Sequence, residues 1–222
     1  SSDKTTLKKG ETATLTFTLS EASTDFVYSD VAFSGGSLGN WVKVSPTVYT
    51  ATFTPTDNVN LGSASISVGN NAFTDAAGNP NADGADANNK VDITWDTAAP
   101  TTTVTLSSMT KDTSTQTANA DWTTADGSAG RLLSGHLSAP LAAGETLEVY
   151  ANGVKLDVTP VINGTSWEVT DLSGYNASWT YTAKVVDAAG NAGTVATQVV
   201  NYDNTVSAPV ITAVSNGSNI TT

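Results

Sequence analysis

Residues 179–193 read WTYTAKVVDAAGNAG, and this stretch indicates what kind of fold the chain adopts. Its first half largely alternates apolar with polar side chains, which is typical of a strand with one buried face. The pentapeptide DAAGN that follows contains Asp, Gly and Asn, three residue types that favour turns. We therefore expect a strand that ends in a hairpin loop at Asp187–Asn191.

The same period of two recurs along most of the chain. Threonine and valine are abundant, and their branched side chains suit a pleated strand better than a helix. No segment has the periodicity of a helix. Strands are predicted at ATLTFTLS (13–20), VYTATFTP (48–55), SASISVGN (63–70), KVDITWD (90–96), TTVTLSS (102–108), ETLEVYANG (145–153), SWEVTDL (166–172) and VATQVVNYD (195–203). Short strands at this spacing predict an all-β fold of tandem Ig-like β-sandwich domains joined by short linkers.

An internal repeat sets the expected domain boundaries. DAAGN occurs first at Asp75–Asn79 and again 112 residues later, a distance close to the length of one Ig-like sandwich. Each copy is followed by an aromatic–Asp pair and a linker that ends in Ala-Pro. The predicted domains are therefore residues 1–98, residues 99–205, and residues 206–222 as the linker and first strand of a following repeat.

The charge balance excludes some classes of partner. The chain has 9 basic and 21 acidic residues, which gives a net charge of −12. Nucleic-acid binding needs clustered Lys and Arg, so we do not expect it. The chain has no cysteine, which excludes disulfides and cysteine-ligated zinc, and no apolar run is long enough to insert into a membrane.

Catalytic motifs are weak. Residues 35–39 fit the G-x-S-x-G pattern of a hydrolase nucleophile, but that pattern requires a strand–turn–helix setting and a histidine partner. His136 is the only histidine, and it lies in the other half of the chain. We expect a glycine turn at 35–39 and no enzyme activity.

The ordered motifs of both halves resemble the bacterial Ig-like repeats of type I-secreted, RTX-type giant adhesins and biofilm-associated surface proteins. The matching segments are LSEAS (19–23), SGGSLGNW (34–41), YTATFTP (49–55), FTDAAGNPN (73–81), WDTAAPT (95–101), LSAPLAAGETLEVYANGVKL (137–156), TSWEVTDL (165–172) and YTAKVVDAAGNAG (181–193). The resemblance implies an extracellular extender region on the bacterial cell surface, with calcium bound at the junctions between repeats. The host or surface ligand would be bound elsewhere in the full protein.

Oxygen-rich loops are the candidate calcium sites, because Ca²⁺ takes six to eight oxygen ligands from carboxylates, amides, carbonyls and water. Residues 79–84 (NPNADG) match the opening of a calcium-binding loop, although Lys90 stands where its final glutamate would be. Residues 111–130 carry three aspartates without a clear strand, and we expect a cation to organise them. Asp30 and Asp57 are weaker candidates. The predicted ligands are Asp75, Asn79, Asn81, Asp83, Asp86, Asp96, Asp112, Asp121, Asp126, Asp187, Asn191 and Asp203.

Other interpretations remain open from the sequence. DAAGN is also explained as a turn that binds nothing, and the acidic stretch after Asn79 as an unstructured loop. A glycan-binding module would expose two or more tryptophans beside a groove. An accessory sandwich of a secreted hydrolase would have a catalytic domain as its neighbour.

The two ends of the sequence suggest a way for copies to associate. A strand follows the Ala-Pro linker at 101–108, whereas residues 1–10 contain no comparable strand. Conversely, APVITAVS (208–215) has the pattern of such a strand. The tail strand of one molecule is therefore a candidate to complete the first sandwich of the next, as a head-to-tail strand exchange.

Overall fold

The computed structural model describes residues 1–112 and 121–205, and further on the strands Val214–Ser215 and Ile220–Thr221. The strands are β1 Thr6–Lys8, β2 Ala13–Thr18, β3 Val31–Ala32, β4 Gly36–Lys43, β5 Val48–Pro55, β6 Gly62–Val68, β7 Lys90–Asp96, β8 Val104–Met109, β9 Thr123–Thr124, β10 Arg131–Leu137, β11 Thr146–Ala151, β12 Val154–Lys155, β13 Val161–Asn163, β14 Ser166–Asp171, β15 Trp179–Val186, β16 Ala196–Tyr202, β17 Val214–Ser215 and β18 Ile220–Thr221. The described helical segments are two 3₁₀ turns, Tyr28–Asp30 and Ala87–Asn89. The predicted all-β fold is confirmed.

The first sandwich consists of a four-stranded sheet, β1-β7-β6-β3, and a three-stranded sheet, β2-β5-β4. Side chains from both sheets form one core, in which Leu15, Phe53 and Ile93 are almost completely buried. Alternation along β5 explains this directly, because Tyr49, Ala51 and Phe53 face the core while the residues between them are less buried. An aromatic cluster around Phe26 fills one end of this core.

The second sandwich has the same plan in its own sheets, β13-β14-β10-β8 and β12-β11-β15-β16-β9. Alternation is regular along β10 and β14, whose inward side chains include Leu133, Trp167 and Val169. On β15, the buried residues are Trp179, Tyr181, Ala183 and Val185, as the alternating sequence predicts. Asn152 and Gly153 both have positive φ at the turn between β11 and β12, which is the geometry of a type I′ hairpin.

The two sandwiches share one further feature, a short strand parallel to their last strand. β1 pairs with β7, joining Thr6–Lys8 to Thr94–Asp96. Correspondingly, β9 pairs with β16, joining Thr123–Thr124 to Asn201–Tyr202. Strands of two or three residues are too short for a recognisable alternation, so the sequence pattern predicted neither.

Residue contacts divide the chain into two compact units. The first consists of Ser1–Thr103 with Pro140–Leu147 and Lys184–Val195, and the second contains the remaining residues. A loop of the second sequence repeat is thus grouped with the first unit. The boundaries after residues 98 and 205 stay predictions. Of the tail strand proposed at 208–215, residues 208–213 lie outside the described residues.

Candidate functional site: the Asp–Gly–Asn loops

The two DAAGN loops adopt the same conformation. In the first, the Asn79 backbone N–H donates to Asp75 Oδ1 and the Asn79 Nδ2 amide donates to Asp75 Oδ2, both at 2.8 Å. In the second, Asn191 makes the same two bonds to Asp187, also at 2.8 Å. The main-chain bonds agree as well, since Asp75 and Asp187 each donate to the carbonyl of the loop's Asn and accept from its Gly.

The sequence accounts for this geometry. Gly78 and Gly190 both have φ of 88°, a left-handed conformation that glycine adopts without a steric penalty. The Asp carboxylate lies in reach of the N–H groups that the tight turn leaves unpaired, and the Asn amide completes the loop. Isolated bridges between the flanking residues, Thr74 with Pro80 and Val186 with Ala192, make each loop the cap of a hairpin.

The surroundings of the two asparagines differ. Asn79 is exposed, whereas Asn191 is only 3% exposed and connects three further main-chain groups of the first unit. Its Oδ1 accepts the Lys9 N–H at 2.8 Å, and its Nδ2 donates to the Asp96 carbonyl at 2.9 Å and the Ala98 carbonyl at 3.4 Å. The Asn191 side chain thereby joins the loop Asp187–Asn191 to the end of β1 and to the segment after β7.

The extension of the first loop is organised by Asn81. Its Oδ1 accepts the N–H groups of Ala72 and Phe73, and its Nδ2 donates to the Gly69 carbonyl. The acidic residues of this extension contribute through their main chain, since the Asp83 carbonyl accepts from the Asp86 N–H and from the Asn89 amide. Asn81 therefore binds the polypeptide itself, and the side chains of Asp83 and Asp86 are exposed.

Most of the other predicted ligands form Asx turns, in which the carboxylate accepts the backbone N–H two residues further on. The donor–acceptor distances in these turns are 2.8 to 3.1 Å. The bonded pairs are Asp75 with Ala77, Asp96 with Ala98, Asp121 with Thr123, Asp126 with Ser128 and Asp203 with Thr205. A common structural role thus explains why aspartate recurs in these loops.

Three of these turns lower the pKa of their aspartates. Hydrogen bonds from Asn79 hold the pKa of the Asp75 carboxyl below its ordinary value. Bonds from Ser128 lower the pKa of Asp126, and bonds from Thr205 lower the pKa of Asp203. In each case the donors bind the charged form of the carboxylate.

The aspartates of residues 111–130 are held separately. Asp112 accepts the Trp122 N–H at 3.3 Å, and Asp126 lies 4.0 Å from the Lys111 ammonium. Trp122 is buried and has φ of 58°, and it directly precedes β9. The weaker candidates are also engaged: Asp30 accepts the N–H of Val27, and Asp57 pairs with Lys9.

The described geometry can be compared with what calcium requires. Across residues 1–112 and 121–205, the structure places no three histidine or acidic side chains within metal-binding reach of one another. In both DAAGN loops the carboxylate oxygens accept N–H donors from their own loop. Calcium binding stays a prediction.

Asp25 is a loop-organising residue that the sequence analysis did not select. Its two carboxylate oxygens accept the Thr74 N–H at 2.9 Å and the Thr74 hydroxyl at 2.7 Å, and Ser23 donates a third bond. Donation from Thr74, above all from its hydroxyl, lowers the pKa of Asp25 to about 2. Because Thr74 directly precedes Asp75, this contact fixes the entry to the first DAAGN loop.

A buried ion pair in the second unit was also missed. Arg131 and Asp171 are completely buried, with 3.8 Å between Nη1 and Oδ2, and the Arg131 guanidinium lies 4.5 Å from the centre of the Trp179 ring. Tyr181 donates its hydroxyl to Asp171 at 2.6 Å, and burial together with this bond raises the pKa of the Tyr181 phenol. Arg131 also donates to the carbonyls of Asp126 and Ser173, so it holds two loops against the sandwich.

The residues considered for catalysis and glycan binding have structural positions. Gly36 begins β4, and a side chain at Gly35 or Gly36 would collide with Trp95 or Phe53. His136 is exposed on β10 beside Ser166. Four of the five tryptophans are buried, and the fifth, Trp41, packs in the aromatic cluster around Phe26. The tryptophans therefore do not form an exposed stacking platform.

The helical segments are short. In the part of the chain that the structure describes, none of them has the length and apolar character that crossing a membrane requires.

Part of the chain matches a known protein family. Residues 1–95 match the family model described as bacterial Ig-like domain. None of the curated proteins is significantly similar to the chain in sequence.

The solved structures that resemble this chain include three of low identity. The fibronectin(III)-like modules of Clostridium thermocellum CbhA are 12% identical, with a TM-score of 0.42 and coverage of 91% of this chain and 93% of theirs. Yersinia pseudotuberculosis InvD is 18% identical, with a TM-score of 0.30 and coverage of 96% of this chain and 61% of the InvD chain. The Y. pseudotuberculosis adhesin InvE is 16% identical, with a TM-score of 0.27 and coverage of 96% of this chain and 58% of the InvE chain.

The chain thus spans about three fifths of each Yersinia structure. Superpositions this loose assign no function. The family match covers residues 1–95, and the two sheets of the first sandwich agree with an Ig-like domain over those residues.

Proposed function

We propose that this chain is a structural extender segment of a bacterial cell-surface adhesin, in which tandem Ig-like repeats carry a ligand-binding part away from the cell. The observation that supports this most directly is the Asn191 contact. A loop of the second sequence repeat hydrogen-bonds to the main chain of Lys9, Asp96 and Ala98, all within the first compact unit. Asn191 and these partners lie in one compact unit, and in this proposal the bonds stiffen that part of the segment without using an exposed binding surface.

The remaining features agree with a structural role rather than a catalytic one. The aspartates of the loops are used in turns, and the tryptophans are in the cores. The net charge of −12 favours a protein that stays soluble and does not self-associate through its sides. In this proposal the neighbouring partners are further Ig-like repeats of the same chain, the location is extracellular, and adhesion or biofilm formation depends on a ligand bound elsewhere.

The stiffening role is tested by replacing the amide that makes the contact. In Asn191→Ala we expect small-angle scattering to report a broader distribution of dimensions, because the bonds to Lys9, Asp96 and Ala98 are lost. Asn79→Ala is the matched control, since it removes the same side chain from the same motif without those three bonds. Equal scattering profiles for wild type and Asn191→Ala would refute the stiffening role.

We propose in addition that calcium binds the aspartates of this chain, with Asp112, Asp121 and Asp126 as the first candidates. The support is the acidic composition and the concentration of aspartates in residues 111–130. Extracellular calcium modules have Kd values on the order of 10⁻⁴–10⁻³ M, and a site at tenfold excess stabilises by roughly 1.4 kcal/mol. The same resemblance that suggested calcium suggests type I secretion.

Calcium binding is tested by calorimetric titration and by melting curves in Ca²⁺ and in EGTA. We expect heat of binding, a higher Tm in Ca²⁺, and loss of both in Asp121→Ala. Asp187→Ala serves as a comparison, because Asp187 is already bonded to Asn191. Identical melting curves with and without calcium would contradict the proposal and leave the extender role intact.

A further inference from the structure

Two exposed Asn-Gly pairs lie in the hairpin turns of the second unit. Asn152-Gly153 connects β11 to β12, and Asn163-Gly164 connects β13 to β14. An asparagine that precedes glycine is open to attack by the following main-chain nitrogen, because glycine has no side chain to shield that nitrogen. The two pairs therefore have the same intrinsic reactivity, and the structure around each pair determines how fast it reacts.

The first pair is held by a neighbouring strand. Asn152 Oδ1 accepts the Thr180 N–H at 3.0 Å, and the Asn152 N–H donates to the Thr180 carbonyl at 2.8 Å. Thr180 belongs to β15, which lies between β11 and β16 in its sheet. To bring the Gly153 nitrogen against the side-chain carbon of Asn152, the main chain must rotate and break these bonds. The structure therefore protects Asn152.

The second pair lies at the end of an edge strand. Asn163 is the last residue of β13, which has three residues and is the outermost strand of the sheet β13-β14-β10-β8. Val161 is 64% exposed and Ile162 is 37% exposed, so little apolar burial holds this strand in place. Among the described residues, none forms a hydrogen bond with the Asn163 side-chain amide or with the Gly164 N–H.

Local opening at β13 does not disturb the rest of the sheet. The strand is attached through its three paired positions with β14, the last of which joins Asn163 to Ser166. Beyond the turn, the Thr165 carbonyl accepts the Leu137 N–H at 2.7 Å, so β14 remains attached to β10 when β13 separates. Short exposed segments of this kind open at the lowest free energies in a protein. A Cβ at Gly164 would meet nothing within 4 Å, so there is room for a ring at this position.

We propose that Asn163 is a site of spontaneous deamidation and that Asn152 is its protected counterpart. The Gly164 main-chain nitrogen loses its proton and attacks Cγ of Asn163. The new C–N bond closes a succinimide ring while the Cγ–Nδ2 bond breaks, and the amide nitrogen takes up a proton and leaves as ammonia. Water then opens the ring at either of its carbonyls, which gives aspartate or isoaspartate. Neither step requires an oxidant or a reductant.

The products change the edge of the sheet. Aspartate and isoaspartate both place a negative charge at the end of β13, and charge on an edge strand opposes its pairing with another chain. Isoaspartate also adds one carbon to the main chain, so the pairing of residue 163 with Ser166 loses its register and β13 is loosened. The proposal does not depend on the extender role.

The test is tryptic peptide mapping by mass spectrometry after incubation of the folded chain in mildly alkaline buffer. Trypsin separates the two pairs, because Asn152 falls in peptide 132–155 and Asn163 in peptide 156–184. A third pair, Asn216-Gly217, lies outside the described residues and falls in peptide 185–222. Peptide 156–184 should deamidate at least about tenfold faster than peptide 132–155, because β13 opens more easily than the contact with β15.

Two controls complete the test. In concentrated urea the two peptides should deamidate at similar rates, because the protection of Asn152 is lost on unfolding. Asn163→Gln keeps an amide but would have to close a larger ring, so deamidation of peptide 156–184 should stop, and circular dichroism checks that this variant folds. Equal rates in the folded chain, a difference that persists in urea, or deamidation that continues in Asn163→Gln, and so arises at Asn176, would each overturn the proposal.

Discussion

The loops Asp75–Asn79 and Asp187–Asn191 have the same five residues and the same internal hydrogen bonds, yet they differ in what lies around them. The first is a self-contained cap of a hairpin, with its asparagine exposed. In the second, the asparagine is buried and also bonds three main-chain groups. The motif therefore specifies the shape of the loop. The residues packed around the loop determine whether it also connects separate segments of the chain.

The largest effect is expected from the two asparagines. Asn191→Ala leaves the Lys9 N–H and the carbonyls of Asp96 and Ala98 without their partner. These bonds are part-buried, so each lost bond costs less than the about 1–3 kcal/mol of a fully buried unsatisfied group. We expect the free energy of unfolding to fall by roughly 2–4 kcal/mol in Asn191→Ala and by about 1 kcal/mol or less in Asn79→Ala. Urea unfolding of both variants measures this. Equal losses would show that the surroundings of Asn191 add no stability.

The two glycines should behave alike. Gly78 and Gly190 share a φ of 88°, and an added Cβ would meet nothing within 4 Å at Gly78 and only the flexible Lys8 side chain at Gly190. Replacement by alanine therefore costs about 1–2 kcal/mol at either position, from the left-handed backbone alone. Thermal unfolding of both variants provides the comparison. A loss at Gly190 that is more than twice the loss at Gly78 would mean that the loops differ in their backbones as well.

A smaller loss of stability is expected when the pH is lowered. It distinguishes the residues that directly precede the two loops. Thr74 before the first loop donates to Asp25, whereas the equivalent Val186 has no side-chain donor. The pKa of Asp25 is lowered to about 2, so the stability that it contributes is present above its unfolded pKa of about 4. That stability is lost as pH falls from about 4 to about 2.

Asp25→Asn is the variant that isolates this contribution. It removes the titrating group, so its unfolding free energy should change less between pH 5 and pH 2 than that of the wild type. NMR titration of the Asp25 carboxyl gives the pKa directly. A wild-type pKa near 4 would contradict the role assigned to the Thr74 bonds.

Much of the fold follows from the sequence, because alternation places one face of each long strand in a core. Strands β5, β10 and β15 are examples, and the turn residues of DAAGN likewise specify both hairpin caps. Strands β1 and β9 were beyond prediction, since two or three residues cannot display a period. Their positions depend on pairing with β7 and β16, which lie about 80 or more residues away in sequence.

The roles of individual polar residues were harder to predict. Aspartate in a turn can bind a cation or a backbone N–H, and the two uses have the same local sequence. Asn191 cannot be told from Asn79 by its motif, because its distinguishing partners are Lys9 and Asp96, 182 and 95 residues away. The sequence gives no sign that Arg131 is buried either, because the aromatic rings and the carboxylate that surround it come from other segments of the chain.

The parallel pairing of β1 with β7 has a mechanical consequence. β1 lies near the start of the first sandwich and β7 near its end, and both run in the same direction. A force that pulls the two ends apart acts along these strands, so their hydrogen bonds must be sheared together rather than opened one after another. Single-molecule extension should therefore show a higher rupture force for the wild type than for Leu7→Pro, in which this pairing is broken.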